Sequence, residues 1–134
     1  MSGYDYDFKT QDEVFRLAGE VSEAQHRAWE SDRKGQDAEA RRWEQSLESA
    51  CGAVRDAGIS LEYVERQLWI GDALCHVFLE LVYKSLDAMS EAKNEQAMQS
   101  ASEAYDHARE QYEITASRTN SLIITARLMG STMV

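Results

Sequence analysis

Glu20, Glu23 and His26 follow one another at intervals of three residues, so on a helix all three would look roughly the same way. Carboxylates and imidazoles at that spacing are the ligand types of metal-dependent bundles. A diiron carboxylate centre takes Glu-x-x-His from each of two helices and a glutamate from each of two others. Glu23 and His26 supply one such pair. Nothing supplies the second, because the residues three before His76 and His107 are Ala73 and Ala104, and His26 reads as a surface or rim histidine. Asp72, His76 and Glu80 recur at every fourth position, where a carboxylate could fix the tautomer of the imidazole or share a metal with it. They come with no nucleophile and no phosphate cradle, and read as a narrow solvated seam on an otherwise buried helix. Glu103, Asp106, His107 and Glu110 read as a solvated face.

Helices must position all of these groups. Proline is absent from the 134 residues, whereas ordinary usage of ~5% would place about seven. Thr10-Gln-Asp-Glu13 has the form of a capping box and predicts a first helix from there to about Gly35, with Val14, Leu17, Ala18, Val21 and Ala28 as its apolar stripe. Asp37 can cap a second helix whose buried side is Ala40, Trp43, Leu47, Ala50, Cys51 and Val54. Gly58 suits a left-handed helix end and Ser60 the start of the next helix.

From Ser60 the apolar pattern alternates steps of three and four through Leu61, Val64, Leu68, Gly71, Cys75, Phe78, Val82 and Ser85. A second stripe, Ile70, Leu74, Val77 and Leu81, runs beside it. This central helix is therefore expected to be covered over most of its circumference. A last helix carries Ala101, Tyr105, Ala108, Tyr112, Thr115, Thr119, Leu122 and Ala126 in the same rhythm. A turn is expected around Ser90 to Asn94. Without one the two helices would form a rod of roughly 100 Å at ~1.5 Å per residue, which partner subunits would have to cover. The expectation is one all-α domain over residues 1–134, an antiparallel bundle of about four helices with the last two long. Residues 1–9 form an acidic arm carrying Tyr4, Tyr6 and Phe8. Residues 115–134 are apolar and rich in Ser and Thr, and either dock into the bundle and fray or form a partner surface.

A formal charge of -10, spread along the chain, disfavours general nucleic-acid binding. Cys51 and Cys75 sit in different apolar patterns with no CxxC pair, which suits small buried thiols in a reducing compartment. The run from Leu68 to Val82 is interrupted by Asp72, His76 and Glu80 and is shorter than the ~20 residues of a membrane span. No membrane association is expected, and a cytoplasmic location is.

The stretch "LAGEVSEA", Leu17 to Ala24, followed at a suitable distance by "AGISLEYVE", Ala57 to Glu65, resembles the MazG-like all-α nucleoside triphosphate pyrophosphohydrolases over roughly residues 10–66. The resemblance implies a helical bundle in which Glu-x-x-Glu on one helix and Glu-x-x-Asp on the next hold Mg²⁺. Such ions would bridge phosphates and activate water for cleavage between the α and β phosphorus atoms. Glu20 and Glu23 match the first pair. Counted back from Gly58, the second pair falls on Arg42 and Gln45, neither an anionic ligand. Glu44 and Glu48 lie within one turn and are the substitutes if the helix register slips. Under an enzymatic reading the metal ligands would be Glu20, Glu23, Glu44 and Glu48. Were Arg42 instead to pair with Glu20 or Glu23, the cluster would be a charge-neutralised structural seam.

With two of four acids missing, the sequence favours an acidic helical protein that works through contact surfaces. It would be an inhibitor, adaptor or immunity-type factor on a catalytically degenerate MazG-like bundle, with no catalytic residue and no cofactor, a protein partner, and self-association. The alternative is an Mg²⁺-dependent nucleoside triphosphate pyrophosphohydrolase.

Overall fold

The computed structural model describes residues 8–134, with side chains from residue 11 onward. Its fold is all-α, with four helices: α1 (Phe8–Arg33), α2 (Asp37–Asp56), α3 (Leu61–Glu91) and α4 (Glu95–Leu128). The last two are the longest, at 31 and 34 residues. The chain divides into two compact units. One comprises Met1–Leu68 with Asn120–Val134, and the other Trp69–Thr119.

Local chemistry sets the helix ends. Gly58 has φ +73°, its N–H donates to Arg55 O, and the Ile59 N–H donates to Val54 O. These bonds satisfy the last carbonyls of α2 in the pattern a left-handed glycine permits. Ser60 then accepts the Tyr63 N–H on Oγ at 3.1 Å, capping α3 as its residue type predicts. Between α3 and α4 lies a turn of three residues. Asn94 Oδ1 accepts the Ala97 N–H at 2.7 Å, so an asparagine cap starts α4 where no Gly or Pro stops α3.

Two expectations are corrected here. Asp37 is the first residue of α2 and not its cap; Gln36 holds that position without a side-chain bond, while Asp37 and Glu39 place negative charge in the first turn. Helical backbone is already present at Phe8, upstream of the expected start at Thr10, whose side chain lies outside the described residues, as do those of Tyr4, Tyr6 and Phe8. Beyond Leu128 the chain leaves the helix. Gly130, at φ +92°, closes α4 as Gly58 closes α2, and Ser131 Oγ donates to Glu65 Oε2 at 2.7 Å.

In the first unit the predicted stripes meet. Val14, Leu17, Ala18 and Val21 of α1 and Ala50 and Val54 of α2 form one core with Tyr63, Val64 and Leu68 of α3 and Leu122 and Ala126 of α4. Residues 120–128 therefore dock. Among the described residues no buried side-chain polar atom lacks a hydrogen bond. The buried Gln67 accepts from Gln11 Nε2 at 2.9 Å, and Thr125 Oγ1 donates to the Ser121 carbonyl.

The second unit holds only the last part of α3 and the first part of α4. Gly71, Cys75, Phe78, Val82 and Ser85 on α3, and Ala101, Tyr105, Ala108, Tyr112, Thr115 and Thr119 on α4, are all buried or half-buried. A Cβ added at Gly71 would collide with Thr119 Oγ1, so the missing side chain is what lets the two helices approach there. Ser85 and Thr119 direct their hydroxyls to the carbonyls four residues earlier, at 2.7 Å each.

The second stripe on α3 is not covered. Ile70, Leu74, Val77 and Leu81 are 43%, 41%, 51% and 43% exposed, and Trp69 beside them is 69% exposed. This corrects the expectation of a helix covered over most of its circumference. One neighbour can cover only one stripe, and in this unit α3 has one neighbour.

Candidate functional site

Glu20 and Glu23 stand on the α1 side of an open cleft of about 660 Å³ between α1 and α2; Arg42, Trp43, Gln45 and Ser46 line the facing side. The positions reached by counting back from Gly58 thus lie opposite the glutamate pair, but as an arginine and an amide. Glu44 and Glu48 do not line the cleft. The cleft face of α2 runs through Arg42, Ser46, Ser49 and Ala53. At the ~100° turn per residue Glu44 and Glu48 point about 170° and 130° away from the middle of this face. A slip of register that brought Glu44 and Glu48 in would rotate Ala40, Ala50 and Val54 out of their buried positions.

The two glutamates are already engaged on their own helix. Glu20 Oε1 accepts from Arg16 Nη1 at 3.0 Å, and Glu23 lies 3.9 Å from Arg27 Nη2. Both carboxylates are more than half exposed. Arg42 makes no ion pair with either, so the anticipated pairing across the helices is replaced by pairing along α1. The arginine at 42 instead adds positive charge to the cleft. Arg27 also lies over the Trp43 ring, 5.9 Å from its centroid, and Trp43 Nε1 donates to Glu39 Oε1.

This donor set does not suit a hard divalent cation. Mg²⁺ asks for carboxylate oxygens that are free to coordinate; here there are two, each beside an arginine, with a third arginine across the cleft. Among the described residues no group of three or more His, Cys, Asp or Glu side chains stands close enough to hold a metal ion.

The three histidines and most of the acids near them are exposed. His26 pairs with Glu30 at 3.2 Å and not with Glu23. The Lys34 ammonium, hydrogen-bonded to Glu30 at 2.8 Å, holds the Glu30 carboxyl below its ordinary range, assisted by the charges of His26 and Arg27. His76 is 3.7 Å from Asp72, with both side chains about three-quarters exposed. Glu80, Glu103, Asp106, His107 and Glu110 are exposed. Cys51 and Cys75 are half-buried free thiols. Cys51 lines a second, more apolar cavity of about 400 Å³ with Val21, Val54, Thr125 and Met129, and burial pushes its thiol pKa up.

The feature with the strongest physical demand is thus the α3 stripe of the second unit. Its residues are visible in the sequence, and the missed signal was a count. Two apolar stripes on one helix need two neighbours, and among the described residues α3 has a single partner beyond Leu68. Among the described residues no helix is long and apolar enough to cross a membrane. Comparison with protein-family models, with curated proteins and with solved structures finds no match for this chain.

Proposed function

We propose that this chain is an acidic helical interaction protein, an inhibitor, adaptor or immunity-type factor. It engages a protein partner through the outer face of α3, on a catalytically degenerate MazG-like framework. The observation that carries this reading is the exposed row Ile70, Leu74, Val77 and Leu81 with Trp69 at its end. Contiguous apolar surface of this kind, on a helix whose other stripe is already buried, is the ordinary mark of a binding face. The degenerate framework is supported by the cleft, where Arg42 and Gln45 stand opposite Glu20 and Glu23. Two free thiols suit a reducing compartment, the cytoplasm.

Affinity capture from source-cell extract tests the reading. The wild-type chain should retain a specific protein that the Leu74→Lys/Leu81→Lys variant loses while keeping its helical circular dichroism. Identical recovery by both would refute it. The pyrophosphohydrolase alternative draws support from one feature, a cleft of nucleotide size carrying the Glu20 and Glu23 pair. Release of pyrophosphate from nucleoside triphosphates with Mg²⁺, abolished in both Glu20→Ala and Glu23→Ala, would put the enzyme first.

A further inference from the structure

We infer that the cavity of about 400 Å³ lined by α1, α2 and the end of α4 is a binding site for a medium-chain aliphatic carboxylate, with its tail against Val21 and Val54 and its head group on Arg55. The site lies within the first unit and is independent of the α3 face. Close-packed interiors leave few voids larger than a water molecule, whereas this volume falls at the small end of the ~300–1,000 Å³ of ligand pockets. The lining is graded. Val21 and Val54 are 0% and 2% exposed, while Leu128 and Arg55 stand at the surface. Cys51, Thr125 and Met129 complete the wall. The cavity thus runs from an apolar floor to a cationic rim.

The polar groups that remain open decide the head group. The Thr125 hydroxyl already donates to Ser121 O at 2.8 Å. The carbonyls of Val54, Arg55 and Thr125 accept N–H groups of the turns that close α2 and α4. An alcohol or an amine would find few acceptors there, and a buried donor left without one is costly. The Arg55 guanidinium, by contrast, is in no ion pair among the described residues. Its charge reaches the cavity, where it opposes the upward push that burial gives the Cys51 thiol. A guanidinium presents paired N–H donors in the geometry of a carboxylate. The charge of -10 is spread along the chain and acts on an anion through screened water, while Arg55 acts in contact.

Cys51 reports on occupancy, because in a Cys75→Ser chain it is the only thiol. Decanoate should slow its alkylation by iodoacetamide saturably, and titration calorimetry of the full chain should show a single site. Affinity should rise about fourfold per methylene from hexanoate to decanoate. Arg55→Gln, at an exposed position, should weaken decanoate by about fivefold or more with unchanged circular dichroism. Cys51→Met, which fills the cavity, should abolish binding with the helical signal retained. No saturable protection into the millimolar range overturns the inference. So does decanol or decylamine bound as tightly as decanoate, or an affinity indifferent to Arg55→Gln. Binding kept in Cys51→Met but lost in Leu74→Lys/Leu81→Lys would put the acid on α3 and overturn it as well.

Discussion

The two units use the same helices differently. In the first, α1, α2, the start of α3 and the end of α4 surround one another, and Val21, Val64 and Leu122 are essentially without solvent contact. The second, among the described residues, consists of α3 packed on α4. The fully buried members of its inner row are small or polar-tipped, Gly71, Ser85, Ala101, Ala108 and Thr119, with Phe78 and Val82 half-buried beside them, while Ile70, Leu74, Val77 and Leu81 remain outside. A pair of helices buries one stripe per helix, and apolar residues beyond that stripe are left to solvent or to another molecule. The first unit thus buries its large apolar residues, and the second leaves a row of them exposed.

That contrast can be broken most forcefully at the first core. Leu122→Ala removes a large, 1% exposed side chain and should cost about 2–5 kcal/mol, read as a lowered urea midpoint. A loss below 1 kcal/mol would mean that the first core is not the stabilising one. Gly71→Leu drives a side chain into Thr119 and should cost about 1–3 kcal/mol by overpacking, with increased amide exchange in residues 69–119. Unchanged exchange would remove the close approach from the account. Asn94→Ala deletes the cap on α4 and should lower stability by ~1 kcal/mol, visible in thermal melts. Leu81→Gln, on the exposed stripe, should change monomer stability by no more than about 0.5 kcal/mol, measured by denaturant titration at concentrations where the wild type is monomeric. A larger loss would place that stripe in a core.

The smallest effect is electrostatic. The Glu30 carboxyl is depressed, so its contribution to folding is present above the ordinary carboxylate range and disappears as pH falls through the lowered value. Lys34→Ala should raise the Glu30 titration midpoint in a carboxyl-detected NMR titration. An unmoved midpoint would show that the hydrogen bond at 2.8 Å does not persist in water.

Much of the fold was legible because helical periodicity and end signals are local. The stripes of α1, α2 and α4, the left-handed Gly58 and the Ser60 cap follow from residue types a few positions apart. Asn94 was as local as these, but a lone asparagine between polar residues has no contrast with its surroundings. Of the candidate site Glu20, Glu23, Glu44 and Glu48, only Glu20 and Glu23 line a cleft, opposite the Arg42 and Gln45 at which the family resemblance sets the second pair. The sequence did not reveal that each glutamate pairs with an arginine on its own helix. Those partners at i±4 are common to any charged helix, and which of them wins depends on what the facing helix offers.

Residue order alone determined that this chain is helical, where most of its helices stop, and which residues of each helix are apolar, since those properties depend on neighbours within one or two turns. Tertiary structure decided how many helices surround each stripe, and so left Ile70, Leu74, Val77 and Leu81 uncovered and put Glu44 and Glu48 on the wrong side of α2. Burial is a property of what lies across the gap, and a one-dimensional pattern does not specify its own neighbour.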